Sequence, residues 1–88
     1  MSMYKLRFAR QPIRYFRRLA GRDAKRIRSA LDRLAADPDR TDMDIKPLAG
    51  RPGFRVRIGD YRVIYERQDE IKVLAIERIA PRGDVYKG

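Results

Sequence analysis

The residues best equipped for chemistry in this chain are a set of arginines and one late tyrosine. Arg55 and Arg57 alternate with Phe54, Val56 and Ile58, and Arg62 follows across Gly59-Asp60. Arginine is a planar donor fork that grips phosphate through parallel hydrogen bonds and keeps its charge at any working pH. In an alternating strand the three apolar residues take one face, which puts Arg55 and Arg57 together on the other. A two-residue turn at Gly59-Asp60 pairs the next strand so that Arg57 and Arg62 stand roughly opposite each other. Three guanidiniums on adjacent strands repel unless an anion holds them together. A phosphate binder, or an enzyme acting on phosphate, uses that arrangement directly. The plainer alternative is an exposed sheet face on which Glu66 or Glu77 pairs with some of the arginines. Arg82 and Tyr86 follow the last strand closely enough for the fold to bring them to the same face, although their spacing does not require it. Tyrosine is the one titrating group here suited to act as a base, because neighbouring cations lower the pKa of a phenol.

Composition narrows the chemistry. The chain has 88 residues, with 22 Lys+Arg against 12 Asp+Glu, a net charge of +10, and no His, Cys or Trp. Disulfide frameworks and zinc sites built on Cys or His are excluded, and so is histidine acid–base catalysis. No metal or cofactor is called for. The basic excess comprises 17 Arg and 5 Lys, which points to a polyanionic partner, either nucleic acid or an acidic protein segment. A small domain kept soluble by surface arginine is the bland alternative. With 43% hydrophobic residues the chain is more than a disordered basic tail. No run approaches the roughly 20 apolar residues of a membrane span. The opening MSMYKLRFAR lacks the apolar stretch of a secretory signal. A cytoplasmic protein without membrane association is expected.

The elements that must position these residues form a single domain over 1–88. Tyr4, Leu6 and Phe8 alternate with Lys5 and Arg7, a half-buried strand. Gln11-Pro12 opens a helix with an apolar stripe at Ile13, Phe16 and Leu19 or Ala20, and Gly21 breaks it. A second helix over 23–36 carries Ala24, Ile27, Leu31 and Leu34 on one side. With so short a connection the two should form a hairpin. Residues 37–50 read as a loop held down by Ile45 and Leu48. Strands follow over 54–58, 61–67 and 71–79, the last apolar on both parities and ended by Pro81. The order β-α-α-β-β-β gives an α+β fold, with the helix hairpin packed on one face of a small, mainly antiparallel sheet. Charge is uneven along the chain. Residues 3–36 hold eleven basic and two acidic side chains, whereas 37–50 is net acidic. The helices, through Arg14, Arg17, Arg18, Lys25, Arg26 and Arg28, are therefore the strongest candidate surface for an anionic partner such as RNA, with a solvated helix face as the ordinary alternative.

The string Leu48-Ala49-Gly50, followed by residues 53–65 (GFRVRIGDYRVIY), resembles the core of the RelE/ParE toxin superfamily of type II toxin–antitoxin systems. Residues 79–86 (IAPRGDVY) resemble the terminal motif of its RelE branch, and the opening strand, the helix pair and residues 34–38 (LAADP) match as well. The resemblance implies a microbial RNase-like α+β fold. It also implies a ribosome-dependent endonuclease that cuts mRNA in the A site through attack of the 2′-hydroxyl on the adjacent phosphate. Arg55 and Arg57 fall on the family's catalytic basic pair, Arg62 on its third-strand arginine, and Arg82 and Tyr86 on its late pair. Tyr86 would take the proton, Arg62 and Arg82 would stabilise the phosphorane, and Arg55 and Arg57 would hold phosphate and the leaving oxygen. The best-known members have Lys at the second-strand pair. Arginine does not release a proton, so electrostatic stabilisation is the role implied here. The implied partners are a small acidic RelB-like antitoxin, the ribosome with its mRNA, and operator DNA only when the toxin is complexed with antitoxin. A ParE-like toxin acting on gyrase, and a catalytically inactive nucleic-acid or antitoxin binder, are the competing functions.

Overall fold

The computed structural model describes residues 3–81. Within them the chain runs β1 (Lys5–Phe8), α1 (Arg10–Arg18), α2 (Gly21–Ala36), β2 (Asp44–Pro47), β3 (Phe54–Ile58), β4 (Tyr61–Gln68) and β5 (Val73–Pro81). The strands form one sheet in the order β1-β5-β4-β3-β2. Neighbours are antiparallel except β1, which lies parallel to β5. The α+β architecture with both helices on one face agrees with the sequence reading.

α2 supplies the helical half of the core. Ile27, Ala30, Leu31 and Leu34 recur at the i, i+3, i+4, i+7 spacing of one helix face, and all are buried. They meet the even-parity side chains of the sheet: Val56 and Ile58 from β3, Leu74 and Ile76 from β5. α1 packs mainly against β5. Its inward stripe is buried Pro12 with half-buried Tyr15, Phe16 and Leu19, again at helical spacing. Of the expected stripe, Phe16 and Leu19 pack on the core, whereas Ile13 is 46% exposed and Pro12 is buried in its place. The cause is Gln11. Its side-chain amide donates to the Ile79 carbonyl oxygen at 2.8 Å, and its Oε1 accepts from the Ile79 N–H at 2.9 Å. β1 pairs with β5 only from Val73 to Ile76, so Gln11 takes the place of a neighbouring strand where β1 has ended. That fixes the rotation of α1 about its axis.

Four boundaries differ from expectation. Gly21 is the first residue of α2 rather than a spacer, because the break falls on Leu19 and Ala20, both in extended backbone. The segment 37–50 contains β2, a short edge strand whose Ile45 lies opposite Val56. A single apolar residue between Asp44 and Lys46 is too little alternation to announce a strand. β5 begins at Val73, two residues late, since Ile71 and Lys72 belong to the turn; Lys72 has φ +53 and Ile71 is 60% exposed. Pro81 closes β5 from within, opposite Tyr61. Among the described residues no helix is long and apolar enough to cross a membrane.

Candidate active site

The face of the sheet turned away from the helices carries the arginines. β3 presents Val56 and Ile58 to α2, so Arg55 and Arg57 emerge on the far side. The turn after Ile58 has Gly59 at φ +58 with Asp60 at negative φ, the type II′ pattern that suits the twist of a tight hairpin. It sets the register in which Arg57 lies directly opposite Arg62, and Arg55 opposite Ile64. The three residues expected to cluster are therefore together on adjacent strands. Arg82 and Tyr86 lie outside the described residues.

A fourth arginine joins them that strand parity alone misplaces. Counting alternate residues along β5 from Leu74 and Ile76 would send Arg78 into the core. The pairing instead steps from Tyr65 opposite Ile76 to Ile64 opposite Arg78, leaving Glu77 as an extra residue in a β-bulge. The bulge reverses parity. Arg78 moves to the arginine face, and Ile79 takes the core position opposite Val63. The sequence signal was available in the three-residue step from Ile76 to Ile79, which a regular strand does not show.

The burial of these groups is unequal. Arg55 and Arg62 are only 5% and 8% exposed, whereas Arg57 is half-buried and Arg78 exposed. A guanidinium stays ionised in any protein environment, so a buried one needs compensating charge. For Arg55 that charge is Asp44 on β2, whose Oδ2 lies 3.5 Å from Nη1. This is too long for a good hydrogen bond, and Nη1 has no hydrogen-bond partner among the described residues. Asp44 also sits opposite Arg57 in the register. Glu77, at the bulge, pairs with Arg51 in the turn before β3 at 3.5 Å, so it bridges two edges of the face and leaves the 55/57/62 cluster. For Arg55 the paired acid is Asp44, which the sequence did not single out, rather than Glu66 or Glu77. Half-desolvated cations arranged in this way hold an oxyanion strongly, because the field is little screened and needs no reorganisation.

The helix basic residues Arg14, Arg17, Arg18, Lys25, Arg26 and Arg28 are all exposed. Arg28 is partly engaged, 3.3 Å from Asp32 and stacked over the Phe8 ring at 5.2 Å. These side chains lie on the helical side of the sheet, so they form a second basic surface rather than part of the cluster. A second strut, besides Gln11, joins the two layers. The Tyr61 hydroxyl donates to Asp23 Oδ2 at 2.8 Å and holds the start of β4 against α2. Among the described residues no group of three or more His, Cys, Asp or Glu could hold a metal ion.

The chain matches the model of a family described as the ParE toxin of the type II toxin–antitoxin system parDE, over residues 4–86. Among solved structures it is similar to the archaeal RelE–RelB complex from Pyrococcus horikoshii OT3. The two share 30% identity, the match covers 93% of this chain and 98% of that one, and the TM-score is 0.80. It is also similar to the toxin–antitoxin complex RelBE2 from Mycobacterium tuberculosis, at 29% identity, 90% and 98% coverage and a TM-score of 0.76. The intact E. coli RelBE complex, at 19% identity over 92% of this chain and 98% of that one with a TM-score of 0.74, shares the fold. A comparison with curated protein sequences gives no match.

Proposed function

The chain belongs to the RelE/ParE superfamily of toxins of type II toxin–antitoxin systems, and on that premise we propose that it is an endoribonuclease that cuts mRNA on the ribosome. The observation that carries this reading is the juxtaposition of Arg57 and Arg62 in one register pair, with Arg55 beside them on the same face. In the proposed reaction the 2′-hydroxyl attacks the adjacent phosphate and the bond to the 5′-oxygen breaks, leaving a 2′,3′-cyclic phosphate. Tyr86 takes the 2′-hydroxyl proton. Arg62 and Arg82 offset the charge that builds on the phosphorane. Arg57 holds phosphate and steadies the leaving 5′-oxygen until it takes a proton from water. Arg55, buried against Asp44, contributes field from behind Arg57. The step needs no metal or cofactor.

A cognate antitoxin follows from the same reading. The similar structures from Pyrococcus horikoshii and Mycobacterium tuberculosis are toxin–antitoxin complexes, and a chain with net charge +10 suits a small acidic partner of the RelB kind. Toxin and antitoxin together, rather than toxin alone, would bind operator DNA.

The family description names ParE, and this favours gyrase inhibition as the second reading. Induced expression followed by mapping of mRNA ends on ribosomes separates the two. Cuts within the A-site codon are expected. Intact mRNA together with loss of supercoiling would replace the nuclease reading with the gyrase one. Arg57→Ala and Tyr86→Phe are each expected to lower cleavage by roughly 10²–10³-fold, with antitoxin binding and circular dichroism unchanged. Full toxicity in both variants would overturn the assignment of these residues.

A further inference from the structure

Between α2 and the tip of the β3–β4 hairpin lies an open cleft of about 230 Å³, lined by Arg26 and Arg33 of α2, Arg57 of β3, and Asp42 and Asp44. Arg26 and Arg33 are seven residues apart, two helical turns, so both project from one side of α2. Arg26 has an unusual seat. A Cβ placed on Gly59 would lie 2.9, 3.0 and 3.1 Å from its Cζ, Nη1 and Nη2. The near-equal distances mean that the guanidinium plane rests face-on against the bare turn backbone. Its N–H donors, which lie in that plane, are left to point sideways. Gly59 thus permits both the turn and the seat.

The two carboxylates in the cleft are already engaged outside it. Arg40 holds Asp42 through two hydrogen bonds, Nε to Oδ1 at 2.6 Å and Nη2 to Oδ2 at 2.8 Å. That pairing, more than any other charge, lowers the Asp42 pKa to about 2. Asp44 faces Arg55. The guanidinium groups of Arg26, Arg33 and Arg57 make no hydrogen bond or ion pair with another described residue. Arg26, Arg33 and Arg57 thus line one opening in which Asp42, whose charge also acts on Arg33, and Asp44 are each shared with an arginine outside it. Arg57 belongs at once to this opening and to the sheet cluster, so the two sites are continuous around the end of β3.

We propose that the cleft binds a backbone phosphate of single-stranded RNA flanking the cleavage site. The strand leaves the sheet arginines over Arg57 and passes onto α2, where Arg26 and Arg33 grip the next accessible phosphate. This rests on the nuclease reading above and adds a second contact point to it. RNA suits the cleft better than an acidic peptide helix does. The apolar lining is confined to buried Ala30 and Ile58 and half-buried Met43, too little for the hydrophobic stripe by which such helices dock.

The test is fluorescence anisotropy with a single-stranded RNA hexanucleotide and with the dinucleotide of its central step, across a potassium chloride series. The Arg26→Gln/Arg33→Gln double variant is expected to bind the hexanucleotide about tenfold more weakly. Its slope of log affinity against log salt should fall by about 0.7, the value for one lost phosphate contact on a single strand. Dinucleotide binding should not change. Arg7→Gln, the loss of one charge on β1 at the far edge of the sheet, should match the wild type, and Arg33→Lys should keep the wild-type slope. Equal behaviour of the double variant and Arg7→Gln overturns the cleft, as does a wild type that binds no RNA. A double variant that loses a polyglutamate peptide but keeps the hexanucleotide overturns it in favour of a protein partner. Cleft-dependent RNA binding alongside uncut mRNA on ribosomes keeps the cleft and sinks the nuclease.

Discussion

The base proposed at Tyr86 and the tyrosines of the described residues need opposite chemistry. A base must lose its proton readily, whereas Tyr61 and Tyr65 are held protonated. The hydrogen bond from Tyr61 to the Asp23 carboxylate stabilises the neutral phenol and raises its pKa. Burial raises that of Tyr65 to about 12. Both folded values lie above the ordinary phenol value near 10. The stability these groups contribute is therefore complete below pH 10 and is lost as pH climbs through their folded values. Ultraviolet titration of the native protein should show one tyrosine ionising near pH 12, and Tyr65→Phe should remove that step. Asp23→Asn should bring a second tyrosine back toward its ordinary value. A Tyr65 that ionised near the ordinary phenol value would contradict its burial. The arginines show the same dependence on surroundings. Arg55 and Arg57 are alike in sequence, two places apart on one strand, yet one is sealed against Asp44 and the other opens onto the cleft. Alternation predicts their shared face but not their different accessibility, which depends on the edge strand β2.

Among the elements, those with long periodic patterns were legible from sequence. The α2 stripe and the β3–β4 hairpin with its Gly59-Asp60 turn are specified by local spacing, and they place Arg57 opposite Arg62. Features created by pairing between distant segments were harder to read, although the β5 bulge leaves a trace in the three-residue step from Ile76 to Ile79. β2 exists because β3 offers it a partner, and the β5 bulge exists because Ile79 and Ile76 must both reach the core. The rotation of α1 is set by Gln11 bonding the backbone of Ile79, 68 residues away. Gln11→Ala leaves the Ile79 N–H and C=O without those partners and is expected to destabilise the fold by about 1–3 kcal/mol. Urea denaturation measures the loss. Hydrogen exchange gives the specific sign: the Ile79 amide should lose protection while the amides of the β3–β4 hairpin keep theirs. Unchanged protection at Ile79 would mean that the latch carries no weight in solution.

At the scale of the whole molecule, the charge of +10 is divided by the sheet into two surfaces. The helices present one surface and the Arg55/Arg57/Arg62 face lies behind them, so a large polyanion can be held on one side while a strand is engaged on the other. Arg17→Glu/Arg18→Glu is expected to weaken co-sedimentation with ribosomes, more steeply at low salt, since exposed charges act over a screening length of about 10 Å at 0.1 M. Cleavage per bound molecule should not change. A loss that did not depend on salt would point to damage of the fold. The order of the strands has a consequence of another kind, in time. β5 is made after every other described element, yet it lies inside the sheet, between β1 and β4. Until residues 73–81 have been synthesised, β1 has no partner and α1 has no backbone to latch. The β2–β4 meander likewise stands with a bare edge where β5 belongs. Such non-local closure is slow and late. A nascent chain that has not yet reached Arg78 therefore lacks the finished arginine face and, on the function proposed above, is not armed against the ribosome that is making it.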